Sequence, residues 1–208
     1  RSVGFALIIA FAACLGGCAP RWNTALGYYF DTFVSLQGRC PASVLQEALQ
    51  ECARYEALLS KNRQGSDVWR LNHAQVERVA VSEETLAILE MAQAIAQDSD
   101  GWFDVTIAPA SALWDFKAEQ PALPGAEALA QAAALVDYTQ VSITAAGVRL
   151  GAGQSIDLGG IAKGYVADAL VSFLADRGVT DALINIGGNV KALAQNENHS
   201  SWQIAIQA

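Results

Sequence analysis

One short run holds the residues best suited to chemistry. "IDLGGIAKGYVADAL" (156–170) sets a carboxylate, Asp157, just before the pair Gly159 and Gly160, with the ammonium of Lys163 close behind. Glycines let backbone atoms approach a ligand closely. The pattern after them reads as a helix over about 160–177, whose first N–H groups lack partners and face any anion in front of them. Lys163, on the first turn, reaches the same place. Together these describe a phosphate or pyrophosphate site. Asp157 would repel a phosphate unless a cation lay between, so it implies a hydrogen bond to a ligand N–H or hydroxyl, or a nearby Mg²⁺ drawn to exposed carbonyls of the Gly turn. Neither common nucleotide loop is present. Lys163 precedes Gly164 and Tyr165, which breaks the P-loop order, and "GAGQSI" (151–156) departs from the dinucleotide fingerprint after its second glycine. The same residues would also make an ordinary strand-to-helix turn, with Asp157 as the N-cap and Lys163 in solvent.

The elements that must hold this run are mixed. "LGYYFDTFVSLQG" (26–38) reads as one strand, rich in aromatic and β-branched residues. From Pro41, the residues Val44, Leu45, Ala48, Leu49, Cys52, Tyr55 and Leu59 recur at helical period. Residues 60–72 read as a polar loop, tucked back by Val68, Trp69 and Leu71. A short strand then leads to Ser82, an N-cap, and a helix carrying Leu86, Leu89, Ala92 (or Gln93) and Ala96 that stops at Gly101. Residues 117–125 are a Pro/Gly loop, and 126–136 an Ala-rich helix. "QVSIT", "GVRL" and "QSID" read as three short strands. "DALINIGGNVKALA" (181–194) reads as strand, Gly-Gly turn and strand, and "WQIAIQA" (202–208) alternates like another. Strands and helices follow no regular βαβ order, so the fold class is α+β.

Hydrophobic residues make up 52% of the 208, ample for a core. Asp+Glu outnumber Lys+Arg 21 to 13 with no basic stripe, which argues against nucleic acid as a partner. The uncharged stretch 3–17 is shorter than the ~20 residues a membrane-spanning helix needs, and suits the apolar part of a signal peptide. It ends in "LGGC" (15–18), which resembles a bacterial lipobox. That resemblance implies cleavage before Cys18, a lipid on its sulfur, a tether over 18–26, and an exported protein anchored in a membrane on the extracytoplasmic side. Cys40 and Cys52 read as two buried thiols. Tyr28, Tyr29 and Phe33 read as core, as Trp102, Phe103 and Trp114 would without other information. His73 and His199 read as surface groups, Asp67 as a loop cap and Asp168 as a helix-surface charge.

Five blocks in order resemble the FAD:protein FMN transferases of the ApbE family. "FDTFVSL" (30–36) is similar to its N-terminal M-(G/D)-T strand. "LSKNRQGSDVWRLN" (59–72) resembles its S-x-(Y/F/N) loop ending in L/F-N. "DGWFDVTIAP" with "LW" (100–114) resembles its D-G-x-F-D block, "DLGGIAKGYVAD" (157–168) its signature, and "ALINIGGNVKALA" (182–194) its hairpin. The resemblance implies a flavin transferase domain over 27–208. It also implies an activity: Mg²⁺-dependent transfer of FMN from FAD to a Thr or Ser hydroxyl of an acceptor protein, with release of AMP. Trp102, Phe103 and Asp104 would line the FAD site, Asp157 and Lys163 would contact the cofactor, and Gly160 would offer its carbonyl to Mg²⁺. Phe30 stands where the family usually has Met. Asn62 stands where an aromatic residue commonly stacks on the isoalloxazine ring. The resemblance places the side-chain Mg²⁺ ligands in a segment following this sequence, so the domain is read as lacking its C-terminal part. Two other activities would use the same site: hydrolysis of FAD to FMN and AMP, and flavin binding without chemistry by a surface lipoprotein.

Overall fold

The computed structural model describes residues 21–114, 122–193 and 201–205. The fold is α+β, as expected. Its centre is a four-stranded antiparallel sheet in the order β1-β2-β5-β6, formed by β1 (Trp22–Tyr29), β2 (Thr32–Arg39), β5 (Ala182–Ile186) and β6 (Asn189–Leu193). The helices α1 (Ala42–Leu59) and α6 (Ala162–Asp176) cover one face and pack on each other. Strand alternation sets that face. Val34 stands opposite Ile186 and Leu36 opposite Ile184, and all four are buried. From α1, Leu45, Ala48, Leu49, Cys52, Tyr55 and Leu59 enter the core; from α6, Val166, Leu170 and Leu174 do. Cys40 and Cys52 are buried free thiols, and burial pushes Cys52 up to about 12. A second layer holds α2 (Asp67–His73), α3 (Glu83–Asp98), the one-turn α4 (Ala108–Ser111), α5 (Ala126–Ala133) and the small hairpin β3 (Ser142–Thr144) and β4 (Gly147–Arg149). Among the described residues no helix is long and apolar enough to cross a membrane.

Several elements differ from their sequence reading. The single strand at 26–38 is a hairpin. β1 begins at Trp22, inside the stretch expected as tether, and the chain reverses at Phe30 and Asp31, whose φ angles are 56° and 55°. Two consecutive positive φ values match the two-residue hairpin turn that follows strand twist, a turn usually built from Asn and Gly. Phe30 tolerates it because its N–H donates to Glu56 Oε1 of α1 at 2.6 Å. Tyr28 and Phe33 fall on the sheet face opposite α1 and α6 and are exposed, not core. Residues 67–73 are helical, not loop. Val79 forms only an isolated bridge to Val148 in place of the expected strand. No strand forms over 201–205, and the remainder of that expected strand lies outside the described residues, as do the stretch 1–20, Cys18 and His199. Gly101 does end α3, with its N–H on the Ala96 carbonyl at 2.8 Å, but Asp100 before it is left-handed too. His73 is exposed, as read, and Asp168 pairs with Lys191 at 2.6 Å on the surface.

α2 is held by Asp67, which does far more than cap a loop. Its carboxylate accepts from the Ser82 N–H, the Ser82 hydroxyl and the Thr85 hydroxyl at 2.8, 2.8 and 2.7 Å, and pairs with Arg70. It so ties α2 to the first turn of α3. Burial alone pushes the Asp67 carboxyl up. The hydrogen bonds from Ser82, Thr85 and Arg70 outweigh that and hold it below the usual carboxylate range.

α2 in turn positions the run that carries Asp157. "QSID" is extended but joins no ladder. The Asn72 amide takes a strand's place: its Oδ1 accepts from the Ile156 N–H at 2.7 Å and its Nδ2 donates to the Ile156 carbonyl at 2.9 Å. The Asp157 N–H donates to the Val105 carbonyl at 2.8 Å. Upstream, the Gln154 side chain accepts from the Gly151 N–H and donates to the carbonyls of Leu135 and Asp137.

Two outcomes follow from these networks. Asn72→Ala leaves both polar groups of fully buried Ile156 without partners, an expected loss of about 2–4 kcal/mol in urea unfolding, with faster amide exchange at Ile156 and Asp157. Asp67→Asn is expected to cost about 2–3 kcal/mol at neutral pH. Because the folded carboxyl is depressed, its contribution is present above the unfolded value of about 4 and is lost as pH falls through the folded one. The stability gap between wild type and Asp67→Asn should therefore narrow below pH ~4 in thermal melts.

Candidate functional site

A cavity of about 180 Å³ opens where three elements meet: the β1–β2 turn, the C-terminal end of α1 with the loop after it, and the run leading into α6. The turn contributes Phe30 and Asp31, the α1 end Glu56, Leu59, Ser60, Lys61 and Asn62, and the run Asp157, Leu158, Gly159, Ala162 and Lys163. Each arrives through local chemistry. The Glu56 bond to the Phe30 N–H locks the turn to α1. The loop after α1 is braced by Ser66, whose hydroxyl donates to the Ser60 carbonyl at 2.5 Å and accepts from the Trp69 N–H at 2.9 Å as the α2 N-cap. The Asn72 clamp sets the third element.

Asp157 is not the N-cap of α6. Ile161 holds that place, and no side-chain hydrogen bond caps the helix. The Leu158 carbonyl instead accepts from Ile161 and Ala162 at 3.0 and 2.7 Å, a tight turn that aims the helix start at the cavity. Asp157 Oδ1 accepts from the Gly159 N–H at 2.8 Å and Oδ2 from Lys61 Nζ at 2.6 Å. The Lys163 ammonium has no hydrogen bond or ion pair among the described residues. Three carboxylates (Asp31, Glu56, Asp157) and two ammoniums (Lys61, Lys163) thus line the cavity.

Five of the residues singled out in the sequence meet here: Phe30, Asn62, Asp157, Gly159 and Lys163. Gly160, exposed, sits beside them, and a Cβ on it would lie 3.2 Å from Phe103 Cε2. Phe103 therefore backs the glycine turn without lining the cavity, and it packs on the core. Trp102 is 94% exposed, so it is no core residue. Asp104 is committed within the chain. Its Oδ1 accepts from the Thr106 N–H and hydroxyl, both at 2.7 Å, and its Oδ2 from the Tyr138 N–H at 2.8 Å. Glu56 and Lys61 were missed. Their partners, Phe30 and Asp157, lie far away in sequence, and no local spacing signals either bond.

The described residues offer little to a metal. No group of three or more His, Cys, Asp or Glu is arranged to hold one. Mg²⁺ demands near-octahedral oxygen ligation with carboxylate charge or phosphate oxygens, and a single backbone carbonyl, as expected of Gly160, would supply one oxygen. These residues alone do not form a Mg²⁺ site.

The described geometry has known counterparts. The chain is 34% identical over 174 residues to a protein of Treponema pallidum named FAD:protein FMN transferase, and 34% identical over 169 residues to one of that name from Klebsiella pneumoniae. These matches cover 77% and 79% of this chain but 48% and 52% of the relatives, so the chain spans about half their length. The fold superposes on the solved flavin transferase ApbE of Vibrio cholerae with a TM-score of 0.83 at 23% identity, covering 89% of this chain and 63% of that one. The ApbE family model matches residues 28–208, and the chain belongs to the ApbE family.

Proposed function

We propose that the protein transfers FMN from FAD to a Thr or Ser hydroxyl of an acceptor protein. The observation that carries this reading is the meeting, in one cavity, of Lys163, the Asp157 turn and Phe30, in a member of a family whose curated relatives bear that name. In the reaction, the acceptor oxygen bonds to the FMN phosphorus. The bond from that phosphorus to the bridging oxygen breaks, AMP leaves with the bridging oxygen, and the hydroxyl proton is released. Such chemistry depends on positioning and on neutralising charge at the phosphates.

Lys163 binds the diphosphate. Asp157 accepts a hydrogen bond from a ligand N–H or hydroxyl. Phe30 packs on the flavin ring. Asn62 meets the ring edge through its amide, since it has no aromatic face to stack. A cavity of about 180 Å³ is smaller than a site that encloses a drug-sized ligand, so FAD extends beyond it, over exposed Trp102 and toward Phe103 and Asp104. Mg²⁺ enters this reading only through the Gly160 carbonyl; when bound, it would neutralise phosphate charge. The lipobox ending at Cys18 supports export and a lipid anchor in the membrane, with the domain on the extracytoplasmic side.

Incubation with FAD, Mg²⁺ and a Thr-bearing acceptor should add the mass of FMN to the acceptor and release equal AMP. Chelation should abolish both, and Lys163→Ala should reduce both at least about tenfold. AMP without acceptor modification would replace transfer by hydrolysis; absence of AMP would leave a flavin binder. Cys18→Ala should move the protein from the membrane fraction to the soluble one, and unchanged fractionation would end the anchor reading.

A further inference from the structure

The cation that an acidic phosphate site requires is visible. We infer that Lys61 is a second phosphate-binding residue, which neutralises Asp157 and, with Lys163, flanks the two phosphates of a dinucleotide. The inference rests on the flavin-nucleotide reading above and adds a residue to it.

Three observations support it. First, charge: Lys61 is the only cation bonded to any carboxylate of the cavity among the described residues. Glu56 is tied to the Phe30 N–H and Asp157 Oδ1 to the Gly159 N–H, so neither carboxylate turns away when an anion arrives. Remove Lys61 and the lining holds three carboxylates against one ammonium, a poor host for a diphosphate. Second, position: Lys61 is not a drifting surface lysine. It sits on a loop braced by the Ser66 bond to Ser60 and by the Asn62 N–H on Ser60 Oγ, and its side chain is 36% exposed. Third, capacity: an ammonium has three donors, and Asp157 takes one, which leaves others for phosphate oxygens.

A purely structural tether between the loop and the Asp157 turn would use the same ion pair, so the test must separate the two. Riboflavin shares the ring of FAD but carries no phosphate. Titrated by flavin fluorescence, Lys61→Met and Lys61→Gln should weaken FAD binding about tenfold while changing riboflavin binding less than about twofold. Lys61→Arg should stay within about threefold of wild type, and the Met variant should show a flatter salt dependence for FAD. Unchanged FAD affinity in Lys61→Met, or equal losses for FAD and riboflavin, overturns the inference and leaves the flavin site standing. A wild-type protein with no preference for FAD over riboflavin overturns the phosphate site itself, and the role of Lys61 with it.

Discussion

The site depends on one side-chain amide standing in for a β-strand. Ile156 is fully buried, and its N–H and C=O need partners. A ladder strand would supply them but would also fill the space beside Asp157 with backbone. Asn72 satisfies both groups from α2 and leaves that space open. Asp157 then projects into the cavity and the Gly pair turns free of a sheet. α2 is short, and helices of its length have little stability of their own. The Asp67 network, buried and fully bonded, is what keeps α2 in place. Stability at α2 and geometry at Asp157 are thus one problem.

α1 plays the matching part on the other wall. Its apolar stripe fixes the helix against the sheet, so its last turn presents Glu56 to the strained Phe30 turn and the loop after it presents Lys61 to Asp157. A bulky residue with positive φ is uncommon and costs on the order of 1–3 kcal/mol unless the surroundings hold it. Here a charge-assisted hydrogen bond to a packed helix does so, and the result is an aromatic residue in the cavity lining.

What could be read in the sequence follows from how local each signal is. The periodic stripes of α1, α3 and α6 and the Gly187-Gly188 hairpin are local, and they appear where expected. The Phe30-Asp31 turn has neither Gly nor Asn, and Asp31 alone is a weak turn signal among aromatic and β-branched neighbours, so a hairpin reads as one strand. The 154–157 run alternates like a strand, but its partners are the side chains of Asn72 and Gln154 and the Val105 carbonyl. α2 reads as loop because its stabiliser, Asp67, bonds to α3. At the site, Asp157 and Lys163 stand out by their spacing around the Gly pair, whereas Phe30 and Asn62 were reached by matching blocks. Lys61 escaped because its meaning lies in a contact 96 residues away.

The Lys61–Asp157 pair is hard to explain as a device for stability. Side chains 36% and 23% exposed share their field with water, and ion pairs of that kind contribute at most about 1 kcal/mol. The turn that Asp157 shapes is already closed by the Gly159 N–H. The pair does change the charge that a ligand meets. With it, the carboxylate that can recognise an N–H or hydroxyl coexists with an anion a few ångströms away. Without it, the same carboxylate repels that anion at distances where water screens poorly. A site that must grip a polar group and a diphosphate together needs both signs of charge side by side. The loop after α1 and the turn before α6 bring them into contact.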